Sequence, residues 1–311
     1  MKTPFLTRTL QMSSCRPSHG VIPLERRAFL SHALMGVVAA AIAPVTRSSE
    51  AVASFAALER RYGGRLGVAI LDTTDGRHLT YRADERFMMC STFKLLLVGA
   101  VLARVDRGEE RLDRRIVFGD DALVSFAPVT GHHVGQPGLT VAALCSAAIA
   151  VSDGVAANLL LKSLGGPQAL TAYARQLGDV KTRLDRYEPE MNRPTPDGLS
   201  DTTTPSAMLD TMRTLVSGNA LSLASRSQLV AWLAQSDTGE DLVKAGIPRG
   251  WRIAYKTGHG NGATNDIAVI YPPHRKPIWV SVYYKGKTSD DDERPSALFA
   301  EVGRMASAIG R

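Results

Sequence analysis

Beyond the first 50 residues, segments with strand character stand only near the two ends of this chain. An alanine- and leucine-rich stretch from Ser91 to about Ala234 separates them. Residues 66–71 form an apolar run, Asp75-Gly76 marks a turn, and residues 77–82 return, which predicts a hairpin. Beyond Pro248, residues 251–256, 265–271 and 278–284 again have strand character, and an amphipathic helix is expected over residues 296–309. Between them, KLLLVGAVLARV, TVAALCSAAIAV, AANLLLKSL, ALTAYARQL and PSAMLDTMRTLV repeat at helical spacing. Strands need partners, so the two ends must meet in one sheet. The predicted fold is α/β (α+β): a five-stranded, mainly antiparallel sheet flanked by terminal helices, with an inserted all-helical lobe. Residues 51–82 and 243–311 would form the α/β lobe and 83–242 the helical one, with the site in the cleft between them.

The chain has 311 residues and a formal charge of +7, which would suggest nucleic acid if the charge were spread evenly. It is not. Residues 1–50 carry six cations (Lys2, Arg8, Arg16, Arg26, Arg27, Arg47) against Glu25 and Glu50, so the remainder carries only +3. Glu25-Arg26-Arg27-Ala28-Phe29-Leu30 precedes an apolar run of 11 residues, Ala33 to Ala43, too short to span a bilayer. That order resembles a twin-arginine export signal, and residues 1–50 are expected to be removed on the way to the periplasm or the exterior. Cys15 would leave with them, and Cys90 and Cys145, which match no metal or redox spacing, are expected to be free thiols.

The usual chemical signatures are missing from the sequence: there is no H-E-x-x-H, G-x-S-x-G or G-x-G-x-x-G. Gly286-Lys287-Thr288 lacks the upstream glycine of a phosphate loop, and His132-His133 reads as a surface pair, so neither metal nor cofactor is called for. One pattern remains. Ser91-Thr92-Phe93-Lys94 is the only S-x-x-K of the chain and lies where an irregular segment gives way to a helix. Residues three apart share a helix face, and a helix N-terminus favours negative charge developing on a serine oxygen.

Further motifs follow in order: Ser152-Asp153-Gly154 with Asn158, then Arg186-Tyr187-Glu188-Pro189-Glu190-Met191-Asn192, then Asp201, and Lys256-Thr257-Gly258-His259. Together with Ser91-x-x-Lys94 they resemble the class A serine β-lactamases over nearly the whole mature chain. The resemblance implies that Ser91 is the nucleophile, with Lys94 or a Glu188-activated water taking its proton. Glu188 and Asn192 would hold the deacylating water, with Glu188 as base. Ser152 would pass a proton to the lactam nitrogen. Lys256 would polarise that serine and attract the substrate carboxylate, to which Thr257 would donate a hydrogen bond; Gly258 would also contact substrate, and the N–H groups of Ser91 and His259 would form the oxyanion hole. Asp153, Asn158 and an Arg186–Asp201 ion pair would be structural, and Glu188-Pro189 is a candidate cis peptide.

Departures from the pattern bear on specificity. Gly154 replaces the usual asparagine and is expected to widen the cleft; Phe126 should stand at its mouth. Thr264 occupies the place of a common arginine, for which Arg294 is the candidate substitute. The His259 side chain replaces a small residue and can reach into the cleft or turn to solvent; solvent is the favoured expectation. The resemblance implies a monomer acting on small β-lactams without nucleic acid or a membrane anchor. A penicillin-binding D-Ala-D-Ala peptidase, or a sensor acylated once, would use the same serine, lysine and K-T-G set, and Glu188 with Asn192 favours hydrolysis.

Overall fold

The computed structural model describes residues 43–286 and 295–309. Residues 1–42 of the expected export signal, with Cys15, and Arg294 lie outside them. Five strands form one sheet: β1 (Arg65–Asp72), β2 (His78–Tyr81), β3 (Arg252–Gly260), β4 (Ala263–Tyr271) and β5 (Ile278–Lys285), in the order β2-β1-β5-β4-β3 with every neighbouring pair antiparallel. The first and last parts of the chain therefore meet at the β1–β5 ladder, where Val68 stands opposite Val282.

The strands do not alternate between apolar and polar because both sheet faces are covered. Leu66, Val68 and Ile70 of β1 and Val280 and Val282 of β5 face one core with Phe55 of helix α1 (Ala43–Tyr62) and Leu298, Phe299 and Val302 of helix α8 (Ser296–Ile309). Ala69, Leu71, Trp279 and Tyr283 face the other, shared with α2 (Phe93–Asp106), α3 (Val141–Ala150), α4 (Gly154–Leu164), α5 (Pro167–Gln176), α6 (Pro205–Val216) and α7 (Leu223–Ala234). Helix α2 is buried from Phe93 through Ala103, which is why its sequence is apolar all round. Thr140, Asp153, Thr204 and Ser222 cap α3, α4, α6 and α7 by accepting from N–H groups of the first turn.

The structure extends several of the expected elements. Helix α1 begins at Ala43 rather than near residue 54, with Pro44 in its first turn, where proline is tolerated. Strand β3 continues through Lys256-Thr257-Gly258 to Gly260 and returns at Ala263 through Asn261 and Gly262, both at positive φ (53° and 72°). That is an Asn-Gly hairpin turn, whose twist suits antiparallel strands. The segment expected to be helical throughout also holds two-residue ladders, Phe87–Met88 with Thr202–Thr203 and Arg115–Ile116 with Leu139–Thr140. Cys90 and Cys145 are both free and buried, and burial pushes the Cys90 thiol up to about 12.

Candidate active site

Ser91 sits in a single 3₁₀ turn, Cys90–Thr92, that runs directly into the N-terminus of α2. The approach is pinned: Met89 N–H donates to the Asp201 carbonyl (3.0 Å), and Cys90 adopts a left-handed φ of 42°. Lys94, one turn further, is fully buried. Its Nζ donates to Ser91 Oγ (3.0 Å), to the Ser152 carbonyl (2.7 Å) and to Ser152 Oγ (3.4 Å), and pairs with Glu188 Oε1 at 2.7 Å. An ammonium has three protons, so these four oxygens compete for it.

Ser152 occupies the bend between α3 and α4 at φ 62°, a strained setting for a non-glycine residue. Asp153 holds the bend. Its buried carboxylate accepts from Ala156 N (2.8 Å), Val129 N (3.0 Å), Thr130 N (2.9 Å) and Thr130 Oγ1 (2.8 Å). On the opposite wall, Lys256 of β3 donates to Ser152 Oγ at 3.1 Å and to the Thr257 carbonyl at 2.8 Å. Ser152 Oγ thus lies between two buried lysines. Burial, and then the nearby Lys94 charge, push Lys256 down to about 7.

The Glu188 loop is closed by the pair Arg186 Nε–Asp201 Oδ2 (2.7 Å); Asp201 Oδ1 also accepts from the N–H groups of Asp185 (2.8 Å) and Arg186 (3.0 Å). Asn158 of α4 holds Glu188 through its backbone, with Nδ2 donating to the Glu188 carbonyl (2.8 Å) and Oδ1 accepting from Glu188 N–H (3.0 Å). The Glu188–Pro189 peptide bond is cis. A short helical turn, Glu190–Asn192, follows, and Asn192 Oδ1 is buried without a protein partner.

Ser91, Ser152, Glu188, Asn192, Thr257 and His259 line one cleft of about 290 Å³, with Phe126, 53% exposed, at its mouth. Lys94 and Lys256 are buried behind them. Glycine at 258 is a steric requirement: a β-carbon there would lie 2.7 Å from the Met89 carbonyl oxygen and 3.0 Å from Ser91 N, so only a bare backbone lets β3 pass this close to the nucleophile. Gly154 contributes differently. A β-carbon there would approach Glu188 Oε2 to 3.1 Å, while its own N–H donates to the Phe126 carbonyl (2.9 Å).

The His259 side chain corrects the sequence expectation. It lies half-buried along the cleft wall, with Nδ1 3.2 Å from Thr264 Oγ1, instead of turning to solvent, because its antiparallel partner across the hairpin offers a hydroxyl. Thr238 escaped the sequence reading. It lines the cleft with its Oγ1 2.6 Å from Thr257 Oγ1, and no local motif marks it. Among the described residues, no group of three or more His, Cys, Asp or Glu side chains could hold a metal ion. Two buried lysines, Lys94 and Lys256, flank the Ser152 hydroxyl, a setting suited to an anionic ligand beside an activated hydroxyl.

Comparison with known proteins gives the chain a family. A family model described as the beta-lactamase enzyme family matches residues 50–309. Beta-lactamase L2 of Stenotrophomonas maltophilia is 44% identical over 87% of this chain and 89% of its own. The carbapenem-hydrolyzing beta-lactamase KPC of Klebsiella oxytoca is 42% identical over 81% of this chain and 86% of its own. Among solved structures, an ancestral class A β-lactamase superposes with a TM-score of 0.80 at 58% identity, covering 83% of this chain and 99% of that one. With its sequence and fold matched by relatives over most of their length, the chain belongs to the β-lactamase enzyme family as a class A serine β-lactamase.

Proposed function

We propose that this enzyme opens β-lactams through a Ser91 acyl-enzyme that a Glu188-activated water then hydrolyses. The observation that carries the reading is the bridging position of Lys94 Nζ, 3.0 Å from Ser91 Oγ and 2.7 Å from Glu188 Oε1. One buried cation links the nucleophile to the carboxylate that would act as base in the second step. In the first step Ser91 Oγ attacks the lactam carbonyl, its proton passing to Lys94 or, through water, to Glu188. The oxygen's charge develops against the backbone N–H groups of Ser91 and His259. Ser152, hydrogen-bonded to Lys256 (3.1 Å), delivers a proton to the departing nitrogen. In the second step Glu188 takes a proton from a water also held by Asn192 Oδ1, whose burial without a protein partner supports that role. Lys256 attracts the substrate carboxylate, and Thr257, joined to Thr238, hydrogen-bonds it.

Steady turnover of a chromogenic cephalosporin far beyond one equivalent of enzyme is the expected result; a single burst would instead identify a peptidase-like or sensor protein. The pH profile tests Lys256. In the free enzyme it is cationic below about pH 7 and neutral above, so kcat/KM should fall along an alkaline limb near that value. A bound carboxylate favours the ammonium, so the limb in kcat should lie at higher pH. Lys256→Arg, whose guanidinium stays charged, should remove the limb; an unchanged profile would show that another group controls it.

We further propose that residues 1–50 act as a twin-arginine leader and that the mature enzyme works as a monomer in the periplasm or outside the cell. Among the described residues no helix is long and apolar enough to cross a membrane.

A further inference from the structure

A second cavity, of about 180 Å³, lies at the end of the sheet where Arg65 of β1, Ala263 of β4 and Lys285 of β5 are register partners. It shares none of its lining residues with the catalytic cleft. Three features determine what it could hold. The first is charge. Arg86 and Lys285 line it and have no carboxylate partner among the described residues: Arg86 donates to the Lys181 carbonyl and Thr202 Oγ1 (both 2.9 Å), and Lys285 to the Asn261 carbonyl (2.5 Å). A third cation, Arg65, is shared with Glu85 at 3.0 Å, and among the described residues no acidic side chain lines the cavity.

The second feature is a flat apolar wall. The Phe87 ring carries the Arg65 guanidinium 4.1 Å from its centroid, and Met88 lies beside it. The third is an orphaned acceptor. Asn265, 1% exposed, spends its Nδ2 on the carbonyls of Met88 (2.9 Å) and Met89 (3.0 Å), which fixes the amide orientation and leaves Oδ1 buried with no partner. A buried carbonyl oxygen without a donor is costly, and an occupant bearing a hydroxyl or N–H would satisfy it.

We propose that this cavity is an accessory site for a small aromatic anion carrying a hydrogen-bond donor. The anion would pair with Arg86 and Lys285, the ring would lie against Phe87, and the donor would reach Asn265 Oδ1. The volume admits about one ring, which excludes a bicyclic β-lactam with its side chain. The amide that would receive the donor also holds the carbonyls of Met88 and Met89, immediately before Cys90 and Ser91, so the site stands directly behind the nucleophile segment.

The test uses 4-hydroxybenzoate as probe, with saturation-transfer NMR and calorimetry on the intact enzyme, first free and then with the Ser91 cleft blocked by a boronic acid inhibitor. Saturable binding with Kd about 1 mM or tighter, unchanged by the inhibitor and weakened by salt, is expected. Lys285→Ala should weaken it about tenfold with β-lactam turnover unchanged, and Thr195→Trp, which fills the cavity from its loop side, should abolish it while the boronic acid still binds the Ser91 cleft. Benzoate, lacking the donor, should bind several-fold more weakly. Absence of saturable binding, displacement by the inhibitor, or equal affinity in both variants would each overturn the proposal.

Discussion

Replacing Ser91 with alanine will lower kcat/KM for penicillins and cephalosporins by about 10⁴-fold or more, and no covalent adduct will be seen by intact mass. The loss should appear in kcat, because the proposed substrate cleft, with Thr257 and Phe126 in its lining and Lys256 behind Ser152, stays intact. The fold should tolerate the change, since Lys94 keeps the Ser152 carbonyl (2.7 Å) and Glu188 (2.7 Å) as partners once Ser91 Oγ is gone. Thermal unfolding within a few degrees of the parent will separate lost chemistry from lost structure. Turnover near the parent level would assign the nucleophile elsewhere.

Glu188→Gln is the second large effect, and it divides the reaction. The amide keeps the shape of the carboxylate but cannot take a proton, so deacylation should slow by about 10³-fold and the acyl-enzyme should persist in the mass spectrum. The rate at which that adduct appears answers a separate question. If Lys94 is the acylation base the adduct forms at close to the parent rate; if Glu188 acts through water in that step as well, acylation slows in parallel. Of the nearby carboxylates that hold Lys256 up, Glu188 acts most strongly, ahead of Asp266 and Asp237, so its removal should drive the Lys256 pKa further down and move the alkaline limb of kcat/KM to lower pH. Rapid turnover by this variant, without adduct, would remove Glu188 from the mechanism.

Much of the fold was legible because the signals are local. The five strands and the terminal helix announce themselves as apolar runs and a helical period, and Ser296–Ile309 appears over the expected residues. The Asn261-Gly262 dipeptide was an available signal for a tight hairpin, and using it would have carried β3 past Lys256 to Gly260. The start of α1 was not legible, because nothing between Pro44 and Tyr62 breaks a helix and the apolar periodicity begins only later.

The site divides along the same line. Ser91 and Lys94 share one helical turn, and Glu188 and Asn192 one short loop, so spacing alone relates the members of each pair. Thr238 could not be found that way, since what marks it is a hydroxyl 2.6 Å from Thr257, contributed by a segment with no motif. The His259 orientation was equally hidden, because it depends on which residue the hairpin places opposite, and that is Thr264.

The sequence by itself determined the order of strands and helices along the chain, the family and the candidates for the chemistry, because each is written in neighbours a few positions apart. Only the tertiary structure decided that Lys94 reaches Glu188, that Ser152 lies between two lysines, that β3 passes Ser91 closely enough to require Gly258, and that Asn265 keeps an unpaired oxygen. Those contacts join residues far apart along the chain, and their geometry follows from how the sheet and the helices pack against each other, which no local spacing encodes.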